Sequence, residues 1–112
     1  MTNKLEKIFG RQKELQKLLR TDTQTQPYLN HMVLSTHIEL SEMLQQTKWN
    51  WRKPLNEENA KKEFIDVFTF VVNIAIALKI DPEELYQRYI AKNDKNIMRA
   101  NEMLRKNKTV LP

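Results

Sequence analysis

Glu39 and Glu42 stand three residues apart, and Glu63 and Asp66 stand three apart again, with twenty residues between the two pairs. Side chains three apart on a helix share a face, so each pair projects as a unit. Both pairs meet apolar neighbours: Glu39 falls on a line with Met32, Thr36 and Met43, while Glu63 and Asp66 are flanked by Ala60, Phe64, Val67 and Phe70. Carboxylates in such surroundings lose hydration, and four together repel one another, so they need neutralising. Lysines and arginines in an ion-pair network would serve, but hard oxygen ligands converging from two helices suit Mg²⁺ or Mn²⁺ better. A di-iron bundle would ask for a histidine three residues after a glutamate, twice. Neither His31 nor His37 stands there, and each histidine reads as a partly buried structural residue.

A second constellation is cationic. Lys92, Asn96 and Arg99 are spaced four and three apart and continue the line of Leu85 and Tyr89, so a stripe that starts as core turns polar. It is either a solvated basic face or, where it faces a bundle, a set of donors for phosphate oxygens. Lys95 lies on another face and reads as solvated. The stretch Lys48-Trp49-Asn50-Trp51-Arg52-Lys53-Pro54 puts two indoles in what reads as a loop. They either plug the end of the core or line a planar ligand, with Lys48 beside it for phosphate. Gln12, on the apolar stripe of the first helix, offers an amide that either rests in water or reads the edge of a ligand.

These residues need rigid elements to hold them. One glycine in 112 residues and long stretches of three-and-four spacing predict an all-α chain without strands. A first helix is expected from about Asn3 to Arg20, with Leu5, Ile8, Phe9, Leu15, Leu18 and Leu19 as its apolar stripe. Thr21 to Gln26 reads as a linker, and Pro27 suits the first turn of a second helix reaching Gln46. Asn56 is a good cap for a third helix, with Glu57 and Glu58 at its positive end, running to Lys79. Asp81, Pro82 and Glu84 have the spacing of a capping box for a fourth helix running to Arg105, and Asn107 to Pro112 reads as a loose end.

At 40% hydrophobic content, 112 residues fit a single domain over 1–112 with a modest core. The chain has no cysteine, which removes thiol catalysis and zinc-thiolate sites and fits a reducing compartment. Met1 to Arg20 lacks the continuous apolar run of a secretory signal, and Val67 to Leu78 is too short to cross a bilayer, so a cytoplasmic protein is expected. The net charge of +5 lies wholly after residue 87, which points the last helix at an anionic partner such as phosphate.

Taken in order, E-x-x-E, E-x-x-D and Lys92-Asn93-x-x-Asn96-x-x-Arg99 resemble the all-α nucleoside triphosphate pyrophosphatase superfamily. The Lys48-Trp49-Asn50-Trp51 loop and the Lys92 to Arg99 segment are most similar to its dimeric dUTPase branch; MazG-type enzymes share the metal motif. The likeness covers the second to fourth helices, and departs after Arg99, where Ala100-Asn101-Glu102 replaces a Gly-Tyr ending. The resemblance implies a bundle of four to five helices completed by homodimerisation. It implies that Glu39, Glu42, Glu63 and Asp66 bind Mg²⁺ and that Lys92, Asn96 and Arg99 hold phosphates, with Lys48 assisting. It places Gln12 like a glutamine that reads uracil, with Trp49 or Trp51 packing on the base. The implied reaction is hydrolysis of dUTP to dUMP and pyrophosphate, with Glu39 as general base. Two other readings stay open: a MazG-type pyrophosphohydrolase of broader base selection, and a non-enzymatic helical protein that binds nucleic acid through its basic fourth helix.

Overall fold

The computed structural model describes residues 3–47 and 54–107. Among them are four helices and no strand: α1 Lys4–Leu18, α2 Gln26–Gln45, α3 Glu57–Ala77 and α4 Pro82–Lys106. The all-α expectation holds. Residues 48–53, with Lys48, Trp49 and Trp51, and the chain end 108–112 lie outside the described residues. No helix among the described residues is long and apolar enough to cross a membrane. The chain divides into two units, Met1–Asp81 with α1 to α3, and Pro82–Pro112 with α4.

Local chemistry sets the helix starts. The Asn3 side chain accepts a hydrogen bond from the Glu6 amide at 2.7 Å, Thr25 from Tyr28 at 3.2 Å, and Asn56 from Asn59 at 3.1 Å. Each satisfies one of the amide donors that a first turn leaves orphaned. Thr25 lies within the stretch expected to be linker, so α2 begins slightly before Pro27.

In the first unit, α2 and α1 each pack on α3. Buried Val67, Val72, Ala75 and Ile76 of α3 meet Phe9 of α1 and Tyr28 and Met32 of α2. The buried side of α1 is not the one its leucines suggest. It runs through Leu5, Phe9, Gln12 and Gln16, of which Phe9 and Gln16 are buried. Ile8, Leu15, Leu18 and Leu19 are exposed, Leu18 at 73%. At about 100° per residue Leu18 lies opposite Phe9, so one neighbour cannot cover both.

Both helices that meet on that side end in the same way. Arg20 and Lys79 have φ of 55° and 61°. Around them Thr21 N donates to Gln16 O and Ile80 N to Ala75 O, while Arg20 N donates to Lys17 O and Lys79 N to Ile76 O. This paired bonding terminates a helix with a left-handed residue, a position that favours glycine. A side chain there costs about 1–2 kcal/mol, against which glycine loses about 0.5–1 kcal/mol of chain entropy. Lys79→Gly is therefore expected to stabilise the fold by about 0.5–1 kcal/mol, read as a higher urea midpoint at unchanged slope.

Candidate active site

α2 and α3 run antiparallel in a register that can be followed contact by contact. Asn73 Nδ2 donates to the Met32 sulfur at 3.5 Å, the carboxylates of Glu39 and Asp66 lie in one cluster, and Asn59 Nδ2 donates to Gln46 Oε1 at 3.5 Å. Each step is seven residues forward on α2 and seven back on α3, two helical turns or about 10.5 Å. The Asn56 amide closes the end of the pair on Gln46 O at 3.1 Å.

In the middle layer, oxygens of Glu39, Glu63 and Asp66 all lie within 4.8 Å of one another. Glu39 and Glu63 are half-buried, Asp66 is exposed, and Glu63 Oε2 is buried without a hydrogen-bond partner. No described lysine or arginine pairs with them; the ion pairs Arg88 with Glu84 and Arg105 with Glu102 are both on α4. The donor set fits a hard divalent ion. Oxygens on opposite sides of Mg²⁺, each about 2.1 Å from it, are about 4.2 Å apart, and an ion would give Glu63 Oε2 the partner it lacks.

Glu42 is exposed and is not one of the three converging groups. It acts on them through Glu39. Partial burial raises the Glu39 pKa most, followed by the charges of Glu42, Asp66 and Glu63 and a hydrogen bond with Glu42. Glu39 thus keeps its proton to a higher pH than an ordinary glutamate.

Gln12 is half-buried and points its amide nitrogen at Asn73 Oδ1, 2.8 Å away. It also lines a cavity of about 520 Å³ between α1 and α3, whose walls include Ile8, Phe68 and Val72. Asn73, 3% exposed, is a buried polar residue not expected at the site from the sequence, where it stands inside an apolar run. Its signal was its position seven residues after Asp66, on the same helical face.

On α4, Lys92, Asn96 and Arg99 share one exposed face and bond to no other described residue. The expected core start of that stripe is not found: α4 buries no residue, Leu85 is half-buried and Tyr89 is exposed, because this single helix has no neighbour within its own unit. His31 and His37, expected to be partly buried, are both exposed. Lys48, Trp49 and Trp51 fall outside the described residues.

A family model described as dUTPase matches residues 4–84, which span α1 to α3 and the start of α4. The match includes Gln12 and all four acids and stops short of Lys92. No curated protein and no solved structure matches the chain.

The acid cluster gives a pH signature. Without metal, and just above the ordinary Glu39 value of 4.5, the folded chain keeps a proton on Glu39 that the unfolded chain has released. Folding then weakens as pH rises from that value through the raised one. Compared with Glu39→Gln in EDTA, the wild-type melting temperature should fall across this window. Mg²⁺ should raise it again above the window by binding only the folded state. A wild-type melting temperature that rises relative to Glu39→Gln across the window contradicts this.

Proposed function

The chain belongs to the dUTPase family, and from that membership we propose that it is a Mg²⁺-dependent nucleoside triphosphate pyrophosphohydrolase that converts dUTP and water to dUMP and pyrophosphate. The observation that carries this reading is the convergence of Glu39, Glu63 and Asp66, with the buried Glu63 oxygen unpartnered and no described cation to neutralise them. Mg²⁺, or Mn²⁺ in its place, would be held by these three with Glu42 beside them. Bound there, it polarises phosphoryl oxygens and makes a water more acidic.

In the reaction, a water oxygen bonds to the α-phosphorus, the bond from that phosphorus to the α,β-bridging oxygen breaks, and pyrophosphate leaves with the bond's electrons. Glu39 accepts the water's proton, a role suited to a carboxylate whose pKa is raised by burial and neighbouring acids. Glu42 supports it by adding its negative charge beside Glu39, which raises the Glu39 pKa further. Gln12 reads the edge of the base, and its place on a cavity with apolar walls supports that role. Trp49 or Trp51 packs on the ring. Lys92, Asn96 and Arg99, with Lys48, supply the donors that offset charge on the phosphates; the roles on α4 rest on the sequence resemblance.

We further propose that 1–112 acts as one functional domain in the cytoplasm, where a cysteine-free chain is at home. It acts there as a homodimer. The exposed apolar residues Leu15 and Leu18 of α1, Ile38 of α2 and Phe64 of α3 supply surface for a partner subunit. Sedimentation equilibrium should return twice the 13.4 kDa chain mass; a monomer at micromolar concentration contradicts this part.

The test of the activity is pyrophosphate release from a panel of nucleoside triphosphates with Mg²⁺. dUTP should be preferred. Because even groups behind a metal ligand are worth about 10–100-fold, Glu63→Gln and Asp66→Asn should each lower kcat/KM by about 100-fold or more. Equal turnover of all bases would replace the reading with a broader, MazG-type enzyme. No release from any nucleotide, together with Mg²⁺-independent and salt-sensitive binding of nucleic acid, would overturn the enzyme reading altogether.

A further inference from the structure

Gln12, Asn73 and Met32 form a hydrogen-bonded line across the three helices of the first unit. Gln12 Nε2 donates to Asn73 Oδ1 at 2.8 Å, and Asn73 Nδ2 donates to the Met32 sulfur at 3.5 Å. The direction of this line is fixed at its buried end. A thioether sulfur accepts and cannot donate, so the Asn73 amide must turn its nitrogen toward Met32. Its oxygen then faces α1, and Gln12 must answer with its nitrogen. Reversing Gln12 alone would set two amide oxygens against each other 2.8 Å apart. Reversing both amides would leave an oxygen facing sulfur in a site where Met32 is 8% and Asn73 3% exposed. A buried acceptor left unpaired in that way is costly.

Gln12 Oε1 accepts no bond from a described residue, so it and the second Nε2 hydrogen remain to meet a ligand. We propose that Met32 and Asn73 are positioning residues that lock the Gln12 amide in one orientation, and that this lock selects a pyrimidine carrying N–H at position 3 beside a carbonyl. The inference rests on the reading that Gln12 contacts the base. Uracil presents N3–H to the Gln12 oxygen and O4 to its nitrogen. Cytosine in the same seat presents an acceptor at N3 and an amino group at C4, which requires the amide reversed. A glutamine free to turn would accept either base; one held by Asn73 rejects the second. A site built to hydrogen-bond one group discriminates strongly against an analogue that leaves its own polar atoms unpaired.

Spacing ties this edge to the acids. Asn73 lies seven residues from Asp66 on α3, and Met32 seven from Glu39 on α2. The lock therefore sits two helical turns, about 10.5 Å, from the carboxylates. That separation suits a ligand with a base at one end and its first phosphate at the other.

The experiment compares kcat/KM for dUTP and dCTP with Mg²⁺ in the wild type, Gln12→Leu, Asn73→Leu and the double variant. Asn73→Leu should lower the dUTP over dCTP ratio about tenfold or more. The change should arise through a raised KM for dUTP and an unchanged or lowered KM for dCTP. The double variant should discriminate no less than Gln12→Leu alone, since the lock acts only through Gln12. An equal loss on both nucleotides means a merely structural Asn73 and overturns the inference, as does an unchanged ratio. Should Asn73→Leu fail to fold, Met32→Leu keeps the apolar volume and removes the sulfur acceptor; a lowered ratio supports the lock and an unchanged ratio overturns it. A wild type that prefers dCTP overturns the lock while leaving a pyrophosphohydrolase in place. A wild type inactive on every nucleotide removes the proposed function and this inference together.

Discussion

Everything at the candidate site depends on the register between α2 and α3. Their seam is mostly apolar, and apolar contacts alone tolerate slippage by a turn. Three polar layers do not: Met32 with Asn73, Glu39 with Asp66 and Glu63, and Gln46 with Asn59, each two turns from the next. Seven residues fall only about 20° short of two full turns, so the layers stay on one face along both helices. Sliding α3 by one turn would separate all three pairs at once, leaving Asn73 buried without an acceptor. Buried polar groups of this kind give up stability in return for a single arrangement, as a lone asparagine does in a coiled-coil core.

The middle layer carries the opposite energetic sign. Carboxylate oxygens within 4.8 Å of one another, with no described cation beside them, work against folding unless one holds a proton or an ion binds. The raised pKa of Glu39 expresses that tension. The rest of the unit has to offset it, and α3 does most of this through Val67, Val72, Ala75 and Ile76, buried one to three turns beyond the acids or beside them. The tight left-handed ends at Arg20 and Lys79 keep α1 and α3 from fraying where they meet. A small fold thus carries an electrostatic load in the middle of its longest seam.

Much of this was legible in the sequence because it is local. The caps at Asn3 and Asn56, Pro27 in the first turn of α2, and the three-residue spacing of each acid pair depend on neighbours along the chain. What was not legible depends on where a second helix lies. The apolar residues of α1 spread over more than one side, and the leucines outnumber Phe9; only contact with α3 selects the Phe9, Gln12 and Gln16 side. Tyr89 likewise continues an apolar line on α4 and is nevertheless exposed. Glu42 has the same spacing logic as Glu39, yet its partner across the seam cannot be read from spacing, and it stays outside the converging three. Asn73 is the least legible of all. In a run of Val71, Val72, Ile74 and Ala75 it looks like a lapse in hydrophobicity, and only the approach of Gln12 and Met32 shows what it bonds.

Asn73 and Asp66 belong to one unbroken helix, so the distance between the amide layer and the acid layer cannot vary without bending α3. Gln12 is tied to that same helix through Asn73. A ligand that engages both layers is consequently measured against a rigid rule two turns long. It must place a hydrogen-bonding edge at one mark and an anionic, metal-seeking group at the other. A free base reaches only the first mark and inorganic pyrophosphate only the second. In the proposed reading, binding strength from the base end is available to hold the α-phosphorus at the acids, which is how contacts remote from a reacting atom are converted into positioning. The chemistry then depends on the register of the two helices as directly as on the carboxylates themselves.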